Sequence, residues 1–247
     1  MSGPGDSFWA GLPLGSGVAL LQRDGNGLAA LNKPAGVRSH PNEPGIDAHS
    51  LLRADYDLEE ECYRWAGGRL WLLNRLDAAT SGVLLAAADG ELAAAVRARF
   101  KERGVRKLYR ALVFGRPGLR PELWRDRLAV EKRGGQIRTG AGGGVPAESA
   151  VRVVRTGGQP IPLALLELEP RTGRSHQLRV QCARRHLPIA GDQTYGDFRL
   201  NREFARRAGT KRLFLHSLET SFRYEFRGSG FSFSAQAPQP PEFEAAL

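Results

Sequence analysis

The chain has 247 residues, with 36 Lys or Arg against 26 Asp or Glu and a formal net charge of +10. That length suits one large domain or two small ones with a core that needs no disulfide staples, and the charge creates a positive field that attracts polyanions such as nucleic acid or an anionic membrane. No long uncharged apolar span and no charged-then-apolar leader is present, which excludes a helical membrane protein and predicts a soluble, cytoplasmic one; Cys62 and Cys182 lie too far apart for a disulfide framework or a Cys-x-x-Cys metal site, and no two histidines stand four apart.

Taken in chain order, residues 1–16 are rich in Gly, Pro and Ser and read as a tail, as does the Pro-rich stretch 235–247, so one domain is expected over residues 17–234. "VALLQ" and "LAALNK" flank the turn signal "RDGNG" and predict a two-stranded hairpin, followed by a loop from Pro34 to Pro44. In "DGELAAAVRARFKERGV" the apolar Leu92, Val96 and Phe100 recur every four residues, with Asp89 as cap, Gly104 as stop and a basic outer face. An amphipathic helix follows from that pattern.

"KLYRALVFG" alternates as a strand before the turn "GRPG", and "AVRVVR" and "LALLELEP" are two more strands. The Gly-rich piece between them, "RGGQIRTGAGGGVPAES", lacks the Gly-Lys-Ser/Thr ending of a phosphate loop and reads as a flexible hairpin tip. "SHQLRVQCARRH" predicts a short helix capped by Ser175 with Leu178 and Cys182 inward; "LPIAGDQTYG" breaks into turns, and "RLFLHS" and "TSFRYEF" are strands. Many strands, few helices and no strand-helix-strand repeat indicate an α+β fold around a mixed, mainly antiparallel sheet flanked by helices and loops.

One stretch asks for more than local structure. "LNRLDAATSG", residues 73–82, carries a single carboxylate, Asp77, two places after Arg75. A plain turn accounts for Asp, Thr, Ser and Gly82 through their side-chain bonds and backbone freedom. It does not account for the arginine.

Four stretches in order, "LNKPAGVRSHP" (31–41), "NRLDAATSG" (74–82), "KLYRALVFG" (107–115) and "RTGRSHQLRV" with "LPIAGDQTYG" (171–196), resemble the RluA-type pseudouridine synthase family, and "RLFLHSLE" resembles its closing strand. The resemblance implies the pseudouridine synthase fold and an enzyme that converts chosen uridines of structured RNA, ribosomal or transfer, to pseudouridine: uracil leaves C1′, turns and rejoins through C5, with no external cofactor and no metal. It assigns Asp77 as the catalytic carboxylate, kept ionised by the cation of "HQLR", Arg179, whose planar fork can grip a carboxylate with two hydrogen bonds. Tyr109 matches the active-site tyrosine that lies against the base, and Leu215 an apolar residue on the site's other side. Arg75 matches the arginine that fills the gap left by an extruded base, and the same motifs add Thr80, Lys107 and His176 as substrate contacts.

Two positions depart from the pattern: Asn74 and Gln181 stand where histidine is usual. Basic runs in "VRARFKERGVRKLYR", "RRH" and "NREFARRAGTKR" suit a phosphate track, and no membrane contact is expected. Trp9, Trp65, Trp71 and Trp124 read as anchors without a role in the reaction. A monomer is expected. The family commonly carries a small RNA-binding domain ahead of its first motif, and the stretch before residue 17 leaves no room for one. The alternative to catalysis is an inactive RNA-binding or RNA-folding protein on the same scaffold, for which loss of Asp77, Tyr109 or Arg179 would be expected. A nuclease or glycosidase would call for paired carboxylates or bound metal.

Overall fold

The computed structural model describes residues 4–133, 136–141 and 144–247. In chain order the first elements are α1 (Asp6–Ala10), β1 (Ala19–Arg23), β2 (Leu28–Lys33), β3 (Asp55–Asp57), β4 (Cys62–Trp65), β5 (Gly68–Leu72), β6 (Ser81–Ala87) and α2 (Gly90–Lys101). There follow β7 (Val105–Phe114), β8 (Glu122–Arg133), β9 (Gln136–Ala141), β10 (Val145–Gly157), β11 (Leu163–Pro170), α3 (Gln177–Arg184) and α4 (Phe198–Ala208). The last are β12 (Leu215–Phe226), β13 (Ser229–Gln236) and α5 (Glu242–Ala245).

These elements make two compact units: residues up to Val105 with Ser217–Pro238, and Arg106–His216 with Gln239–Leu247. In the first unit β6 is the central strand. Its sequence, "SGVLLAA", is buried at every position, the pattern of a strand covered on both faces. It pairs antiparallel with β2 and β5, while β1 extends β2, β3 and β4 continue from β5, and β13 lies along β12. Helix α2 starts where its sequence says: the Asp89 carboxylate accepts from the Leu92 amide at 2.8 Å, and Leu92, Ala93 and Val96 bury one face. Its stop is earlier than Gly104, with Glu102 as the C-cap and Arg103 left-handed at φ 61°.

In the second unit the order β7-β11-β10-β8-β9 is antiparallel throughout. Leu165, Leu166 and Leu168 of β11, Ala111–Phe114 of β7 and Phe204 of α4 build its core. The Gly-rich piece expected as a hairpin tip contributes β9, a strand registered on β8; residues 134–135 and 142–143 of it lie outside the described residues. "RLFLHS" and "TSFRYEF" are not two strands, because β12 runs unbroken from Leu215 to Phe226. The run "NREFARRAG", expected only as a charge run, lies on α4, capped by Asp197, which accepts from the Arg199 and Leu200 amides at 2.9 and 2.8 Å.

Among the described residues, both segments expected as tails are anchored. Trp9 on α1 is buried, Leu14 bridges Leu52, and the Leu51 carbonyl takes the Gly15 amide at 2.8 Å. At the other end Phe243 is fully buried in the second unit's core, 5.1 Å from the Phe214 ring centroid. Composition suggested disorder at both ends; single aromatic anchors overrule it by the area each one removes from water. Phe243→Ala should therefore cost about 3–5 kcal/mol, the range for a buried Phe truncated to Ala. Urea denaturation checks this: a truly loose tail would leave the midpoint unmoved.

Candidate active site

The two units each present part of the predicted set. In the first, Asp77 sits half-buried in the loop between β5 and β6, and the Thr80 amide closes a turn on its carbonyl at 3.0 Å. What fixes this loop is the loop after β2. Lys33, fully buried, donates from Nζ to the carbonyls of Pro34, Val37 and Ala78 at 3.0, 2.6 and 3.0 Å. The Gly36 amide also reaches the Ala78 carbonyl, at 2.8 Å.

On the other flank, Ser39 Oγ donates to the Leu76 carbonyl at 2.8 Å and accepts from its amide at 3.0 Å, while Tyr63 Oη donates to the Ser39 carbonyl at 2.8 Å. The residues on either side of Asp77 are thus held by side chains from "LNKPAGVRS". Asn74, where the resemblance expects histidine, accepts the Leu85 amide at 2.8 Å and so anchors the loop to β6. Gly82, with φ 111°, has no room for a side chain: a Cβ there would lie 2.1 Å from the Ser217 carbonyl oxygen. Arg75 points outward, its side chain 62% exposed and 3.9 Å from Glu61, a contact of the kind that contributes little.

In the second unit the site is organised around α3. Arg179 is buried and grips a carboxylate with two parallel hydrogen bonds, as its fork geometry allows, but that carboxylate is Asp192: Nε to Oδ2 and Nη2 to Oδ1, both at 2.8 Å. Asp192 is also the turn former that "GDQTYG" suggested, its Oδ1 accepting from the amides of Thr194 and Tyr195 at 2.8 and 3.0 Å. Burial alone would raise its pKa; the Arg179 fork and those amides outweigh it and hold the group below its ordinary value. Tyr195 joins the cluster, its ring 5.2 Å from the Arg179 guanidinium and its hydroxyl 2.9 Å from His176 Nδ1.

His176, and not Ser175, occupies the N-cap of α3, in a left-handed conformation at φ 53° and with no side-chain cap bond. Leu178 and Cys182 face inward as their spacing predicts. The turn holding Asp192 is clamped by Asn201 of α4, which accepts the Gly191 amide and donates to the Asp192 carbonyl, each at 2.8 Å. Gln181, the second departure from the family pattern, bonds Ser149 Oγ at 2.7 Å and Asp126 Oδ2 at 2.8 Å. It ties α3 to the strands beneath.

Tyr109 lies half-buried on β7 opposite Leu168, packed against the core; Lys107, two residues before it, shares its face. Partial burial pushes the Lys107 ammonium pKa below its ordinary value. Leu215 is buried in the same core. Sequence reasoning missed Asp192, Tyr195 and Asn201 as supports; the pairing of "GDQTYG" with Asn201 becomes visible once α4 is recognised.

The Arg179–Asp192 pair gives a test. Asp192→Asn removes the negative charge from the group that takes two hydrogen bonds from a buried guanidinium and should lower stability by about 3 kcal/mol at neutral pH. Because the folded-state pKa of Asp192 is depressed, its contribution is complete above the unfolded value and fades as pH falls through the lower folded one. The gap between wild type and variant should accordingly narrow below about pH 4. Equal urea midpoints at pH 7 would overturn this account of the pair.

A family model described as RNA pseudouridylate synthase matches residues 27–184. The tRNA pseudouridine synthase C of Vibrio parahaemolyticus is 33% identical over 210 residues, spanning 81% of this chain and 82% of its own. That of Haemophilus influenzae is 33% identical over 216 residues, 83% of this chain and 87% of its own. Among solved structures, human RNA pseudouridylate synthase domain containing 1 superposes with a TM-score of 0.68 at 24% identity, covering 93% of this chain and 87% of that one, which speaks to the fold. With a matching family model over more than half its length and relatives at this identity, the chain belongs to the RluA-type RNA pseudouridine synthase family and is an RNA-modifying isomerase.

Proposed function

We propose that this synthase isomerises a uridine of transfer RNA with Asp77 as its catalytic carboxylate. The activity for which the relatives are named, tRNA pseudouridine synthase C, supports the substrate class, and the net charge of +10 suits an RNA partner. The observation that carries the catalytic assignment is the bracing of the Asp77 loop: the residues on both sides of one half-buried carboxylate are bonded to buried Lys33 and to Ser39. Fixed geometry of this kind is what a reacting group needs and what an ordinary surface turn lacks.

The reaction balances within the nucleotide. The bond from N1 to C1′ breaks, one from C5 to C1′ forms, C5 gives up its proton and N1 gains one, so no oxidant, reductant or group donor enters. Asp77 supplies the negative oxygen that carries the sugar or base between the two bonded states. Tyr109 offers an aromatic face to the freed uracil and a hydroxyl for the proton at C5; Arg179, besides the two hydrogen bonds it gives Asp192, supplies positive charge toward the Asp77 carboxylate. Leu215 contributes apolar surface to the base site, and Thr80 and His176 contact the nucleotide. Lys107, partly stripped of water, gains by meeting an RNA phosphate.

Arg75 enters the RNA. Its weak contact with Glu61 is readily given up, and its side chain fills the gap left by the flipped uridine, whose extrusion costs a few kcal/mol.

Tritium release from transfer RNA transcripts labelled at uridine C5 tests the assignment. Asp77→Asn should lower the rate by about 10³-fold or more while RNA binding persists. Arg75→Ala should lower kcat/KM by about tenfold or more on folded transcripts, the equivalent of losing part of the flipping compensation. Full activity of either variant would remove that residue from the mechanism. Mapping pseudouridine in cells with and without the gene addresses the substrate, and a lost site in ribosomal RNA alone would replace transfer RNA in this reading.

A further inference from the structure

Within the second unit, at the C-terminal end of α3, a cleft of about 270 Å³ opens between the β7–β8 connection and the strands β8, β10 and β11. It lies away from Arg179: Arg185, the C-cap of α3, stands six positions after Arg179, about 9 Å along the axis. Its walls combine chemistries that seldom meet by accident. Arg185 lies over the indole of Trp124, its Cζ 4.5 Å from the ring centroid, and its Nη1 bonds Asp126 Oδ2 at 2.9 Å, so the guanidinium is held in place with the side chain a quarter exposed.

Beside it the floor is apolar, from Val153, Leu166 and Leu187, and the rim carries exposed Arg116 and Arg120. Glu122, which accepts the Trp124 Nε1 proton at 2.8 Å, completes the wall.

We propose that this cleft binds an unpaired base of the substrate RNA, distinct from the uridine that reacts. A guanidinium held over an indole and lining a cleft can present its plane to a planar ring, and arginine planes are a standard stacking surface for splayed RNA bases. The apolar floor receives the ring. The volume, just below the usual range for small-molecule sites, suits one base and little more.

Glu122 argues against a bare phosphate in the cleft itself and for an amino-bearing base edge, since a carboxylate only accepts. Arg116 and Arg120 sit at the rim, where the phosphates on either side of a docked base would pass. The enzyme would thereby hold its RNA at two places, one for chemistry and one for register. The inference rests on the RNA synthase assignment but not on the choice of transfer RNA.

The test is filter binding of unfractionated cellular RNA to the full-length protein between about 50 and 200 mM salt. The double variant Arg116→Ala, Arg120→Ala removes two exposed cations and should flatten the slope of log K against log salt by roughly 1.4 to 1.8. Arg185→Lys keeps the charge but loses the plane, and should weaken binding about tenfold with the slope unchanged. An unchanged slope in the double variant overturns the proposal, and so does wild-type affinity in Arg185→Lys, which would reduce the cleft to a phosphate contact. If Arg185→Lys unfolds, the double variant decides alone. Wild-type protein with no affinity for RNA would overturn the synthase assignment as well, which separates the two failures.

Discussion

The second unit depends on a desolvated ion pair. Arg179 and Asp192 are both buried, and a buried charge is tolerable only when a partner and further hydrogen bonds replace the water it has lost. That requirement propagates outward. Asp192 must present both oxygens in the plane of the guanidinium, so its turn is held by Asn201 and closed by the amides of Thr194 and Tyr195. Gly191 must be glycine, since with φ 76° a Cβ would lie 1.8 Å from the Arg212 carbonyl oxygen. Helix α4 therefore exists as much to fix that turn as to bury Phe204.

The first unit applies the same logic with different groups. A lysine ammonium has three donors and no acceptor, and Lys33 turns them toward three loop carbonyls, one of which, that of Ala78, also takes the Gly36 amide. Loops pair their backbones less completely than strands do, and a buried cation beneath them supplies further partners. The consequence is a loop that carries Asp77 with the definition of a strand. In both units the charged residue that does the holding is separate in role from the residues proposed to touch RNA.

Much of this was legible in the sequence, and what was not has a common cause. Helix α2 and the β1–β2 hairpin follow from period and turn chemistry, which act over a few residues. The α+β class and the family follow from motifs. The grip of Lys33 on Ala78 spans 45 residues, and no local pattern could announce it. Asp192 looked like a turn former because it is one; its second function, holding Arg179, appears only when α3 and the turn are brought side by side. The packed ends were missed because composition averages over a segment, whereas one Trp9 or Phe243 is enough to order it.

The two departures from the family pattern acquire a meaning in this light. Asn74 and Gln181 replace the usual histidines, and both use their amides for internal bonds: Asn74 to the Leu85 amide, Gln181 to Ser149 and Asp126. An imidazole at either place would titrate between about pH 5 and 8, and its donor and acceptor sites would change with it. An amide keeps one donor end and one acceptor end at every pH. At these two positions the anchoring side chains themselves do not respond to protons, so any pH dependence of catalysis in this range has to originate in groups other than Asn74 and Gln181.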